Sequence, residues 1–314
     1  IRAAKLQVEL KLHLKQVLLD EKELDLLRCA AIDIGTNSCR LLIADVSPEG
    51  MRPLHRENRT TRVGEGLKNT IHIQEDVIER NIHCLEAFKN TVEEMAVDCY
   101  RVVATSALRE AENQEEFLRS AWKKTAMQIQ VISSEEEARL SYLGVSRGLP
   151  DLESPLIADL GGGSLELILE GAEPIFLSLP LGAVRAMEQN LKITEINTVM
   201  SPLAVHKNDL APHPLVMVGG TATSLVAIKH SLLQYDPSLV HGELLKREEI
   251  ADIYNMLERM PLNLRRRLPG LQPERADIIP WGTRIILLLM DILEKGEITV
   301  SESDLLEGVI WSLA

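Results

Sequence analysis

From residue 30 onward the apolar positions come in short runs set off by Gly, Pro and Asn: 30–34, 40–46 and, after Pro48-Glu49-Gly50, 51–58. Runs of this length between turn residues predict strands, and their close succession predicts an antiparallel meander. The period then changes. In residues 74–97, Ile78, Ile82, Leu85, Phe88, Val92 and Met95 fall at three- and four-residue steps, which places them on one face of a long amphipathic helix. Strands at 100–104 and 129–132 flank another helical stretch at 113–125, and strand–helix–strand order implies parallel pairing. Ahead of these, Leu6, Val8, Leu10, Leu12, Leu14, Val17, Leu18, Leu24 and Leu27 stand among Lys and Glu. That pattern predicts an amphipathic N-terminal helix that packs on the body or on a second subunit, with a regulatory segment as the alternative.

At 314 residues the chain exceeds one comfortable core, so two domains and a cleft between them are expected. It is 45% hydrophobic, and no apolar run approaches the ~18 residues needed to cross a bilayer, which predicts a soluble protein with no membrane partner. A formal net charge of −13 opposes general binding to DNA or to anionic lipid, so a polyanionic ligand must meet a local basic patch. Arg56, Arg59 and Arg62, and the run Arg265-Arg266-Arg267, are candidates for such a patch, with solvated surface charge as the competing reading. Cys29, Cys39, Cys84 and Cys99 lack C-x-x-C spacing and read as reduced core thiols. With no secretory leader pattern in the charged N terminus, a cytoplasmic location is expected.

The most informative pattern is an internal repeat. Asp33-Ile34-Gly35-Thr36-Asn37-Ser38 and Asp159-Leu160-Gly161-Gly162-Gly163-Ser164 share the form Asp-x-Gly-x-x-Ser, each between two apolar strands and one domain's length apart. A glycine-rich turn between strands lets several backbone N–H groups converge on an anion. Thr36, Asn37, Ser38 and Ser164 add side-chain donors. Asp33 and Asp159 repel phosphate directly and are better suited to hold Mg²⁺, which then bridges them to phosphate. A third glycine turn, Gly219-Gly220-Thr221, follows an apolar run and precedes a helical stretch. Its amides are a further anion site, with tight strand-to-helix packing as the alternative.

These motifs, with Ala104-Thr105-Ser106-Ala107-Leu108-Arg109 and Ser133-Ser134-Glu135-Glu136-Glu137-Ala138-Arg139, resemble the exopolyphosphatase/guanosine pentaphosphate phosphohydrolase family of the actin, hexokinase and heat-shock-chaperone ATPase superfamily. The resemblance runs from about residue 28 to the C terminus. It implies an α/β chain of two ribonuclease-H-like domains around a cleft: 28–135 plus 300–314, and 136–299, after the 1–27 extension. It further implies Glu137 as the catalytic base, Glu166 as a second acid assisting water or metal, Arg109 as a phosphate ligand, and a homodimer. Ser134-Glu135-Glu136-Glu137 also reads as a capping box, which would make Glu137 structural and leave Glu136 as the base.

Two features depart from the family pattern. No His-Asp dipeptide occurs, so the C-terminal helical module that carries one is expected to be absent; and Leu165 stands where Thr is usual, while residues 182–214 look short for the helices usual there. The expected reaction is metal-assisted hydrolysis of terminal phosphate from polyphosphate. Guanosine penta- or tetraphosphate as substrate, a sugar- or acetate-kinase-like transfer, and a non-catalytic polyphosphate- or alarmone-binding module are the alternatives.

Overall fold

The structure, a computed structural model, describes residues 26–67 and 71–314. The expected N-terminal helix falls outside the described residues except at its end, where Leu27 already belongs to a strand. Strands β1 (Leu27–Ile34), β2 (Cys39–Ser47), β3 (Gly50–Arg59), β4 (Cys99–Ala104) and β5 (Ile129–Val131) form one sheet in the order β3-β2-β1-β4-β5. The first three make the antiparallel meander, and β4 and β5 add in parallel. A second sheet contains β6 (Leu156–Leu160), β7 (Leu165–Leu169), β8 (Ile175–Leu179), β9 (Leu215–Val218), β10 (Leu244–Lys246) and β11 (Glu297–Val300), in the order β10-β11-β9-β6-β7-β8. Here too an antiparallel run, β6-β7-β8, is followed by a strand parallel to its first member, β9 on β6. The sequence repeat is thus a repeat of topology, and the α/β fold is that of two ribonuclease-H-like units in an actin-like arrangement.

Both faces of β1 are apolar, which explains its continuous hydrophobic run. Ala30, Ile32 and Ile34 pack with Ile78, Leu85 and Phe88 of the helix Glu75–Glu94. On the opposite face Cys29 and Ala31 meet Leu306, Val309 and Ile310 of the last helix, Leu305–Trp311. That helix therefore returns to the first sheet although β11 belongs to the second. The helix Ser134–Gly148 serves both sheets: Leu140 joins the first core, while Ala138 and Val145 pack on Ile157 and Val216 of the second. It crosses Leu305–Trp311 at two glycines. A Cβ on Gly144 would overlap the Asp304 carbonyl, and one on Gly308 the Leu140 carbonyl, so the backbones approach only because neither residue has a side chain.

Residues 182–214 are not too short for helices. They hold Ala183–Gln189, Ile193–Met200 and Leu203–Leu210, whose Ala186, Ile196, Met200 and Leu203 sit in the large second core. The four cysteines are free thiols; three are buried, but Cys99 is half-exposed, with its Sγ 3.0 Å from that of Cys29 on the neighbouring strand. Among the described residues, no helix is long and apolar enough to cross a membrane.

Candidate active site

The two hairpin turns face each other. A Cβ built on Gly162 would lie 3.1 Å from Thr36 Cβ and 3.3 Å from the Asn37 amide nitrogen. Both turns close with the same bond: Gly35 N–H donates to Ser38 O at 2.9 Å, and Gly161 N–H to Ser164 O at 3.1 Å. Their intervening carbonyls are held from outside. Thr36 O accepts from the Gly64 amide and Asn37 O from that of Arg62; Gly161 O accepts from Ala183, and Gly162 O from Val184 and Arg185, all at 2.9 to 3.0 Å. Among the described residues no peptide bond is cis. A trans peptide points its N–H opposite its C=O, so these anchors turn the amides of Asn37, Ser38, Gly162 and Gly163 toward the space between the turns. Such converging amides form an anion-binding concavity.

The space is a cavity of about 90 Å³ lined by both turns (35–38 and 161–164), Asp33, Asp159, Glu137 and the Gly220-Thr221 pair. Glu166 and Arg109 stand beside it rather than in its wall. Asp33 Oδ2 accepts from Arg40 Nε at 2.9 Å and Nη2 at 2.8 Å, while the buried Oδ1 has no hydrogen-bond partner. Asp159 Oδ2 accepts from Ser141 Oγ at 2.9 Å, and Glu166 Oε1 from Ser178 Oγ at 3.1 Å. Burial and crowding of like charge make these acids hold protons tightly. Burial, then Asp304, lifts Asp159 to about 6. Burial, then Asp159, lifts Glu166 to about 7. Glu137 is raised well above the ordinary carboxylate range, by burial first and by the Glu166 charge second, with Arg109 opposing.

The cap of the helix Ser134–Gly148 is Ser133, whose Oγ accepts from the Glu136 amide at 3.1 Å. The capping-box reading is therefore displaced by one residue. Glu136 points away from the cavity and pairs with Arg101 at 2.6 Å, which also removes it as an alternative base. Glu137, 8% exposed, faces the cavity and accepts from Arg109 Nη1 at 3.1 Å. Arg109 also donates to Ile132 O at 2.9 Å, so in this conformation it holds the glutamate rather than reaching into the phosphate space.

At the third turn Gly219 has φ +93°, and a Cβ there would lie 2.6 Å from Leu160 O. The turn serves both packing and the cavity, which Gly219, Gly220 and Thr221 line. It also carries Arg275, which sequence reasoning missed. The guanidinium lies against Gly220, where any Cβ would overlap it. Its Nε donates to Gln272 Oε1 at 3.0 Å, and among the described residues it forms no ion pair with a carboxylate. Burial, then the Arg40 charge, lowers it to about 10, which leaves it a cation at neutral pH. Nothing in its local sequence distinguished it from the neighbouring Arg265-Arg266-Arg267 run. Of that run, Arg265 donates to the Leu257, Met260 and Ala276 carbonyls and is structural. Arg56 and Arg62 are not solvated charges either: Arg56 pairs with Glu307 and Arg62 with Asp277, while Arg59 lies 5.3 Å from the Phe88 ring centre.

Past Arg40, Gly220 and Arg275, which line both spaces, the cavity continues into a chamber of about 320 Å³ that Arg56, Tyr235 and Asp304 also line. Tyr235 donates its hydroxyl to Glu302.

A divalent cation suits the donors at the turns, because the partnerless Asp33 Oδ1 and the crowded acids would both be relieved by positive charge. Among the described residues no three acid, His or Cys side chains are grouped so as to hold a metal by themselves. An ion held there by one or two carboxylates would take its remaining ligands from water and substrate oxygens.

Comparison with known proteins agrees with this geometry. Residues 42–314 match the model of the Ppx/GppA phosphatase family. The chain is 30% identical over 308 residues to the bifunctional 3-dehydroquinate synthase/phosphatase of Fusobacterium nucleatum, a match that covers 90% of this chain but 46% of that protein. It is 32% identical over 318 residues to exopolyphosphatase 2 of Mycobacterium tuberculosis, covering 92% and 99%. The chain thus spans about half of the first relative and nearly all of the second. The solved Ppx/GppA family member from Aquifex aeolicus matches with a TM-score of 0.74 at 32% identity, over 92% of this chain and 97% of that one. With a family model matched across most of its length and two facing anion-binding turns in its cleft, the chain belongs to the Ppx/GppA phosphatase family.

Proposed function

We propose that the chain is an exopolyphosphatase that hydrolyses the terminal phosphate of inorganic polyphosphate. The observation that supports this most is Glu137: a buried carboxylate of raised proton affinity, held by Arg109, in the same cavity as two facing anion-binding turns. In this reading the terminal phosphoryl group lies between residues 35–38 and 161–164, whose amides take its non-bridging oxygens. Glu137 orients the attacking water and accepts its proton as the oxygen bonds to phosphorus; the bridging P–O bond breaks and the shortened chain leaves. Glu166, whose charge adds to burial in raising the proton affinity of Glu137, is the second acid that assists the water. Mg²⁺, held through Asp33 and Asp159, would neutralise charge developing on the phosphate oxygens.

The chamber supports a polyphosphate rather than a nucleotide. Arg275, which has no carboxylate partner among the described residues, lines it with Arg40 and Arg56 beside the acids Glu57, Glu302 and Asp304, and its one aromatic lining residue among those described, Tyr235, is engaged with Glu302. The test is release of inorganic phosphate, with Mg²⁺, from medium-chain polyphosphate and separately from guanosine pentaphosphate. A kcat/KM at least tenfold higher for polyphosphate is expected. The reverse ratio would assign the site to the nucleotide, and release from neither would remove the hydrolase reading.

A further inference from the structure

One basic residue near the second turn acts on backbone rather than on any ligand. Arg185 lies in the first turn of the helix Ala183–Gln189, and its Nε donates to the Gly163 carbonyl at 2.6 Å. The amides of Ala183, Val184 and Arg185 already take the carbonyls of Gly161 and Gly162. The Arg185 side chain completes the series, so all three glycine carbonyls of the turn are drawn to one helix end. Because the peptide is trans, fixing Gly163 C=O there turns the Ser164 N–H the other way, toward the cavity. Without that bond the Gly163–Ser164 peptide is the one unit of the turn with no external anchor, between a glycine and a serine that rotate easily.

The far end of Arg185 makes a second connection. Its Nη2 donates to both carboxylate oxygens of Glu110 at 2.6 Å, and Glu110 also accepts from Ser106 Oγ at 3.1 Å. Glu110 and Ser106 belong to the short helix Ser106–Glu110, which follows β4 of the first sheet. The chain of contacts Ser164 amide, Gly163 carbonyl, Arg185, Glu110, Ser106 therefore crosses from one unit to the other along the cavity wall. Two further ties between the units, Arg62 to the Glu274 carbonyl and Asp277 and the Gly66 amide to Glu188, involve no side chain that bonds either glycine-rich turn.

We propose that Arg185 is a positioning residue: it sets the Ser164 amide toward the terminal phosphate, and its grip on Glu110 makes that setting depend on closure of the two units. The assignment of the phosphate rests on the function proposed above. An Arg is suited to both tasks because its planar fork offers several donors in fixed directions, whereas a Lys offers one point charge.

The test uses the whole chain and reads affinity for inorganic phosphate by calorimetry alongside kcat and KM on polyphosphate. Arg185→Ala is expected to weaken phosphate binding and lower kcat, each about tenfold or more, with little change in Tm, as loss of a supporting group does. Glu110→Gln, which leaves the Gly163 bond in place, is expected to cost about threefold, and the double variant to be no worse than Arg185→Ala, since both act through one chain. Arg185→Lys is expected to recover only part of the loss. Parental phosphate affinity and kcat in Arg185→Ala would overturn the proposal, as would losses that follow Tm alone or a double variant in which the two effects multiply. A parent that binds phosphate but releases none from polyphosphate would sink the proposed function while leaving Arg185 to be judged on affinity. No phosphate binding by the parent up to about 10 mM would overturn both.

Discussion

The two hairpins share strand register, turn length and closing bond, yet differ in what faces their aspartates. Across from Asp33 stands Arg40; at the equivalent place across from Asp159 stands Glu166. In the first hairpin the acid is offset by a cation in direct contact, and Arg40 is in turn held by Asp304 at the cap of the last helix. In the second no cation among the described residues touches the acids: burial and then Asp304 raise Asp159, burial and then Asp159 raise Glu166, whereas Arg40 opposes the rise that burial gives Asp33. The turns differ in the same sense. Residues 36–38 bring three polar side chains, whereas the equivalent 162–164 bring only that of Ser164 and otherwise offer glycine amides. A turn with hydroxyl and amide side chains can adapt to an anion, but one that relies on backbone must be fixed beforehand. The braces reflect this: loop amides hold the first, and a helix end holds the second. One half sets a cation against its acid, and the other sets a second acid there.

Changing each brace should break the two turns unequally. At Gly182 a Cβ would overlap the backbone of Gly162 and Gly163, which cannot move aside without displacing the turn. Gly182→Ala is therefore expected to lower kcat/KM on polyphosphate about a hundredfold, the scale of a misplacement of about 1 Å. At Gly64 a Cβ would overlap chiefly the Thr36 methyl group, which can rotate, and its distance to the Thr36 carbonyl is 3.3 Å. Gly64→Ala should cost about tenfold by the same measurement. Equal losses would mean that the second turn is no more rigidly required than the first.

A smaller effect sharpens the electrostatic half of the comparison. Glu166 rises from 4.5 to about 7 on folding, so the folded state binds its proton more tightly than the unfolded chain. Ionisation at this position thus destabilises the fold as pH climbs through that window, and the penalty is absent below about 4.5. Glu166→Gln removes it. Relative to the parent, the variant should gain about 5 °C in Tm between pH 5 and pH 8 without divalent metal, and less with Mg²⁺ present. A Tm difference that does not change with pH would show that the acid is not crowded.

Much of this was legible in the sequence because it is carried by local pattern. The Asp-x-Gly-x-x-Ser repeat gave away two hairpins and their facing turns, and the three- and four-residue steps from Ile78 to Val92 marked a helix that the fold uses. Glu137 was harder. With Ser133 and Ser134 both able to cap, the helix start is ambiguous by one residue, and one residue turns a helical side chain by about 100°. That is the difference between Glu137 in the cavity and Glu137 on a cap. Arg40, Arg185 and Arg275 take their meaning from partners distant in sequence: Asp304, Glu110 and the Gly220 backbone. No local pattern announces such pairings. The conspicuous runs misled in part for the same reason: Arg62 and Arg265 are taken up by an acid across the cleft and by carbonyls, while Arg56 pairs with an acid of the last helix and lines the chamber as well.

The most direct test of the account is Glu137→Ala on medium-chain polyphosphate with Mg²⁺, alongside its affinity for inorganic phosphate. If the turns bind and Glu137 accepts the proton, kcat falls about a thousandfold or more while phosphate affinity stays within about threefold of the parent. Retained turnover would place the proton acceptor elsewhere and contradict the assignment at the centre of this account.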